Sequence, residues 1–134
     1  MFLQIKNTTI GYQKPLISEV NASLDFGDVC LLIGNNGVGK TTLIKSILHQ
    51  ISTLNGEILI HQKNIEKLTD KEIAEQIAVV FSKAQIPANY TTEDLISLGK
   101  FIHLPYYYQL EKEDLEDVNN IISQLKLEEY RTTS

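Results

Sequence analysis

The chain has 134 residues, of which 43% are hydrophobic and 22% charged. That balance excludes disordered and collagen-like chains and limits it to one compact domain or a piece of a larger one. Its formal net charge of −5 speaks against nucleic-acid binding through broad basic attraction, leaving room for a local anion site.

The first segment, Phe2 to Ile10, places Leu3 and Ile5 on one side and ends at Gly11, which predicts a strand and a turn. Val20, Ala22, Leu24 and Phe26 alternate as in a half-buried strand, stopped by Gly27 and Asp28. The next run, Val29, Cys30, Leu31, Leu32 and Ile33, is continuously apolar. It reads as a strand covered on both faces. Cys30, the single cysteine, has no internal disulfide partner and reads as a small buried hydrophobe, which fits a reducing compartment. Beyond a loop, Leu43, Ile44, Ile47, Leu48 and Ile51 recur at helical spacing and are expected to pack back on that strand.

Asn55 and Gly56 give a turn signal, and Ile58 with Ile60 mark another strand. Thr69 and Glu72 form a capping-box pair ahead of a short helix through about Gln76. Ala78 to Phe81 reads as a buried strand, and Ser82 to Tyr90, which contains Pro87, as a loop. Thr91 or Thr92 caps a helix with Leu95, Ile96 and Leu98, ended near Gly99. Leu115, Val118, Ile121, Ile122 and Leu125 line one face of a last helix, whose first turn holds Glu113, Asp114 and Glu116. No stretch carries the charged head and apolar run of a secretory signal, and none approaches the about 20 apolar residues that span a bilayer. Membrane association is therefore expected to need a partner.

The loop between the apolar run and the first helix carries the chemistry. Gly34 to Thr41 read GNNGVGKT, matching G-x-x-x-x-G-K-[ST] in the strand-to-helix setting that gives the pattern meaning. Gly37 and Gly39 permit backbone conformations in which successive N–H groups point at a polyphosphate, and the helix from Lys40 adds its positive end. The candidate phosphate-binding set is Gly34, Asn35, Asn36, Gly37, Val38, Gly39, Lys40, Thr41 and Thr42. Lys40 is suited to the β- and γ-phosphates and the Thr41 hydroxyl to Mg²⁺. The bland alternative is a Gly-rich turn with an incidental lysine.

Other chemistry-bearing residues read as structural. His49, His61 and His103 fall in no ligand-like grouping. Glu111, Glu113, Asp114, Glu116 and Asp117 alternate with apolar positions as a solvated helix face does. Tyr106, Tyr107 and Tyr108 fit either an exposed aromatic contact or packing.

Taken together, the residues resemble the ATP-binding subunit of an ATP-binding-cassette (ABC) transporter over nearly the whole chain. Gly11 and Tyr12 look like that family's early aromatic loop, in which the ring stacks on adenine. LNGEILI at Leu54 to Ile60, IAVVF at Ile77 to Phe81 and TTEDLISLGKFIHLPYY at Thr91 to Tyr107 extend the likeness. The last stretch is closest to importer ATPases for iron-siderophore complexes, haem and cobalamin. The resemblance implies an α/β fold: a P-loop NTPase core sheet, partly parallel, with an N-terminal antiparallel β portion and the start of a helical subdomain. It implies a partial ATP-binding domain with residues 1–81 as β portion and P-loop core, and 82–134 as sensing loop and start of the helical subdomain.

The family also implies ATP and Mg²⁺ as cofactors, a homodimer of ATP-binding subunits, and membrane permease subunits with an extracytoplasmic substrate-binding protein reached indirectly. Nucleic acid is not among the expected partners. The expected location is cytoplasmic, peripheral on the inner face of the cell membrane.

Two departures stand out. Where the family has a glutamine after the IAVV-type strand, this chain has Ser82 or Lys83, with Gln85 out of register. The LSGGQ-type signature, the Mg²⁺-associated aspartate, the catalytic glutamate and the switch histidine do not occur between Met1 and Ser134. The expectation is an N-terminal fragment of an ATPase subunit, itself without turnover because nothing positions water or compensates developing charge. The alternative is a non-catalytic nucleotide-binding module that regulates a partner. A small-molecule kinase or GTPase fits less well, since two strand patterns precede the loop and no N-K-x-D motif occurs.

Overall fold

A computed structural model describes residues 1–81, 89–102 and 109–133. They form two compact units, Met1–Ile77 and Ala78–Ser134.

The first unit is built on strands β1 (Leu3–Gly11), β2 (Pro15–Leu24), β3 (Asn55–Ile60) and β4 (Lys63–Asn64). They form one sheet in the order β2-β1-β3-β4, antiparallel at every pairing. Its apolar face carries Leu3, Ile5, Ile10, Ile58 and Ile60, covered by Leu43 of helix α1 (Lys40–Ile47), Ile65 of a 3₁₀ turn and Ile73 of helix α2 (Asp70–Ala74). Burying each such side chain contributes about 1.5–3 kcal/mol.

The alternation of β2 is broken because the hairpin bulges. Between Ile5 and Thr8 strand β1 carries an extra residue, and between Val20 and Ile17 strand β2 does. Asn7 (φ 44°) and Glu19 (φ 57°) take the left-handed conformations this requires. Asn21 ties the two: its Oδ1 accepts from Asn7 N at 2.9 Å, and its Nδ2 donates to the Glu19 carbonyl at 3.0 Å. Buried Thr8 shares its hydroxyl proton between the carbonyls of Lys6 and Glu57, at 3.1 and 3.0 Å.

The Asn55–Gly56 pair, expected to turn the chain, lies inside β3 instead. Gly56 has φ +77°, and a Cβ there would lie 2.4 Å from the Asn7 carbonyl. Glycine is used for close approach to the bulge of β1. The tight turn comes at His61 and Gln62, both with positive φ (47° and 65°), between β3 and β4. That is the backbone demand of a two-residue hairpin, met here without glycine.

Two expected strands do not form. Residues 29–33 have no regular structure and face solvent, with Val29 at 96% exposure and Cys30 exposed rather than buried. Residues 78–81 behave the same way, with Val80 at 98%. A strand covered on both faces needs a ladder partner and two packing layers. Among the described residues nothing supplies a ladder partner for either run. Helix α1 accordingly packs on the antiparallel sheet through Leu43, and not on residues 29–33 as expected. It is also shorter than the apolar spacing suggests, ending at Ile47 with Leu48 as its C-cap.

In the second unit, α3 (Thr92–Leu98) packs on α4 (Lys112–Gln124), whose Val118 and Ile122 are buried. The stripe is narrower than expected, since Leu115, Ile121 and Leu125 remain largely exposed. Thr91, not Thr92, is the N-cap of α3, and Gly99 ends it in a right-handed conformation. The chain after α4 returns to the start of α3. Arg131 forms a two-pronged ion pair with Glu93, with Nε 2.9 Å from Oε2, and also donates to Asn119. Glu93 is thereby held below the usual carboxylate range and Arg131 above its own. Lys100 bridges Asp114 (3.2 Å) and Asp117 (2.6 Å), which raises its pKa. Part of the acidic face of α4 is therefore paired.

Candidate functional site

The loop before α1 turns at Asn35, whose carbonyl accepts from Val38 N at 3.4 Å. The chain then enters the helix through Gly39, the N-cap, in a left-handed conformation (φ 105°) that only glycine adopts without strain. Among the described residues no side chain caps α1. Its first N–H groups, which lack intrahelical partners, are left for a ligand together with the positive end of the helix. The Lys40 ammonium folds back over the loop, donating to the carbonyls of Gly34 at 2.6 Å and Asn35 at 2.8 Å.

Asn36, Gly37, Gly39, Lys40, Thr41 and Thr42 line one cavity of about 190 Å³ with Leu16 of β2. That is below the roughly 300–1,000 Å³ of a whole small-molecule site, so the cavity suits an anionic tail while the rest of a ligand lies outside. Within the cavity wall, Thr41 is exposed and Thr42 is buried, so the Thr41 hydroxyl is the one free to meet an ion. Val38 covers Gly34 closely: a Cβ on Gly34 would lie 2.9 Å from Val38 Cγ1. The donor set is a lysine, a hydroxyl, a helix end and small residues that leave the backbone accessible. It fits a polyphosphate with a hard divalent cation.

Tyr12 does not line this cavity. It stands in the connection between β1 and β2, 64% exposed, four residues before Leu16 which does. Leu16 and its neighbour Ile17 were not singled out in the sequence, although Pro15 marks the start of a strand there and could have pointed to them. Ser82, Lys83, Gln85, His103 and Tyr106–Tyr108 lie outside the described residues. His49 follows α1 with its Nε2 3.2 Å from Glu66 Oε2, and His61 packs edge-on to Phe2 with ring centroids 5.2 Å apart.

In two larger depressions some of the carboxylates are already bonded within the chain. One, of about 460 Å³ against α3, contains Glu93, paired with Arg131, and Asp94, bonded to Thr91. The other, of about 240 Å³ beside β4, contains Glu72, bonded to Thr69. Among the described residues no helix is long and apolar enough to cross a membrane.

The chain is similar to known proteins. The chain is 29% identical over 129 residues to the petrobactin import ATP-binding protein FpuD of Bacillus anthracis, covering 96% of this chain and 47% of that protein. It is 28% identical over 129 residues to the iron(3+)-hydroxamate import ATP-binding protein FhuC of Bacillus subtilis, covering 96% and 48%. The chain thus spans about half the length of these relatives. A solved ATP-binding cassette, a dimer in a post-hydrolysis state bound to ADP and Pi, superposes with a TM-score of 0.78 over 97% of this chain and 60% of that one, at 20% identity. That identity speaks to the fold alone. The ABC transporter family model matches residues 17–134, from β2 through the loop and both units, and the chain belongs to that family.

Proposed function

We propose that the chain is part of the ATP-binding subunit of an ABC importer, in which ATP binding and hydrolysis by the whole protein drive substrate uptake. The observation that carries this reading is the cavity of Asn36, Gly37, Gly39, Lys40, Thr41 and Thr42 at the uncapped start of α1. In it, Gly34 to Thr42 hold the phosphates of ATP, with main-chain N–H groups and the helix end facing the charge. Lys40 leaves the loop carbonyls for the phosphate oxygens. Thr41 holds Mg²⁺, which when bound supplies charge neutralisation between the phosphates. Tyr12, exposed near Leu16, stacks on the adenine.

Iron-siderophore complexes are the favoured cargo, supported by the import functions named for the two relatives; haem and cobalamin are the other candidates. The partners follow the same reading: a second ATP-binding subunit, permease subunits, and a substrate-binding protein reached indirectly, with the protein at the cytoplasmic face of the membrane. Residues 1–81 serve as β portion and P-loop core, and 82–134 as sensing loop and start of the helical subdomain. Turnover belongs to the complete ATPase and not to these 134 residues.

The test is calorimetric binding of Mg-ATP to the complete polypeptide. Lys40→Ala is expected to weaken it on the order of a hundredfold, about 2.7 kcal/mol, as for loss of a desolvated charge-assisted contact. Unchanged affinity would remove Lys40, and the reading with it.

A further inference from the structure

We propose that Leu16 and Ile17 are positioning residues for the phosphate loop, clamping Gly39 so that the β1–β2 hairpin sets the grip on phosphate. The inference rests on the nucleotide reading above. Successive residues of a regular strand point to opposite faces. Here the pairing steps from Ile10↔Ile17 to Gly11↔Pro15, one residue on β1 against two on β2. Leu16 is the extra residue of this bulge, and a bulge re-aims side chains. Both neighbours therefore reach the same point. A Cβ built on Gly39 would lie 2.8 Å from Ile17 Cδ1 and 3.0 Å from Leu16 Cδ2.

That contact has a physical task. Gly39 sits at φ 105° with no side chain of its own to hold it, and the loop before it contains a second positive-φ glycine, Gly37. Such a segment has wide conformational freedom, which must be surrendered when a ligand is gripped. Two apolar side chains anchored in the hairpin restrict it beforehand. Ile17 is also packed against the hydrophobic core of the first unit, so the clamp is fixed to the sheet. Leu16 is 48% exposed and forms the apolar wall of the phosphate cavity.

The clamp predicts that changing Leu16 affects the bare phosphate tail as much as the nucleotide. With the complete polypeptide, Mg-ATP and Mg-tripolyphosphate are titrated into wild type, Leu16→Ala and Leu16→Met. Leu16→Ala is expected to weaken both ligands by the same factor, about three- to tenfold, with an unchanged thermal midpoint because the side chain is half exposed. Leu16→Met is expected to restore both. Ile17→Val, which removes only the Cδ1 methyl nearest Gly39, is expected to give a smaller loss of the same kind. If Leu16→Ala weakens ATP and leaves tripolyphosphate unchanged, the side chain serves the nucleoside and the clamp is wrong. Unchanged binding of both ligands overturns it as well. A wild type that binds neither removes the nucleotide reading itself, a result separable from both.

Discussion

The antiparallel sheet and the two apolar runs, residues 29–33 and 78–81, are both rich in strand-forming residues, yet only the first forms strands. The difference lies in where each segment finds its partners. β1 and β2 are joined by a short connection, so the ladder closes within a few residues, and β3 adds to the free edge of β1. β1 and β3 carry the buried residues of the sheet, and β2 packs against them through the half-buried Ile17, Val20 and Leu24. A continuously apolar run asks for ladder partners and for layers on both faces, and must find them far away in sequence. Apolar content measures how much a segment gains from being covered. It does not say whether the cover is at hand.

The sharpest way to break this contrast is to truncate equivalent side chains in the two regions. Ile58→Ala removes a side chain 1% exposed at the centre of the sheet and is expected to cost about 2–5 kcal/mol, the range of core isoleucine deletions. Leu31→Ala, at 78% exposure, is expected to stay within about 0.5 kcal/mol. Urea unfolding of the 134-residue chain, read by amide exchange in β1 and β3, measures both. Equal costs would mean that residues 29–33 are covered after all.

A second, smaller effect concerns association. Val29, Leu31 and Ile33 present uncovered apolar surface beside backbone that has no ladder partner among the described residues, a combination that invites contact between chains. The 134-residue chain is expected to self-associate with rising concentration in sedimentation velocity. Leu31→Lys is expected to weaken that association about tenfold, roughly 1.4 kcal/mol. A monomer at all concentrations would show that the exposed run is harmless.

What could be read from the sequence tracks the range of each interaction. GNNGVGKT, the Thr69/Glu72 cap and the Thr91 cap are complete within a few residues, and the structure realises the loop and both caps. Val20, Ala22 and Leu24 do lie in a strand, but the expected alternation is not kept: Ala22 is exposed, and Phe26, 75% exposed, lies beyond the end of β2. Asn55–Gly56 was misleading because Gly56 answers to the bulge at Asn7, about fifty residues away, which no local pattern displays. Leu16 and Ile17 escaped because the bulge that turns both toward Gly39 is a property of pairing with β1. The missing strand at residues 29–33 is the extreme case, since its pattern encodes a demand for partners and not their presence.

The capping boxes allow the locally closed side of the comparison to be probed by about one kcal/mol. Thr69 Oγ1 accepts from Glu72 N at 3.2 Å, and Glu72 Oε2 accepts from Thr69 N at 2.8 Å. Thr69→Ala is expected to cost about 1 kcal/mol, and Thr69→Ser to recover most of it. Thr91→Ala should do the same to α3, where Asp94 takes the reciprocal role. Each loss should appear as faster amide exchange in its own helix. A loss from Thr69→Ala spread evenly over both units would mean the boxes are not local devices.

The smallest effect has a defined sign in pH. Hydrogen bonds from Thr69 hold Glu72 below its ordinary value of 4.5, those from Thr91 hold Asp94 below 3.8, and the Glu111 N–H does the same for Asp114. A carboxylate with a lower pKa in the folded state stabilises the fold above its unfolded pKa and loses that contribution as pH falls through the folded value. Glu72→Gln should therefore be less stable than wild type at pH 7. The gap should begin to close below about pH 4.5, as the wild-type carboxyl takes up the proton that glutamine mimics. Thermal midpoints of the pair from pH 7 down to pH 3 give the comparison, and Asp94→Asn should behave alike with its closing shifted to lower pH. A gap that widens as the solution is acidified would mean that the charge of Glu72 opposes α2, and that the Thr69 bonds stabilise the helix by geometry alone.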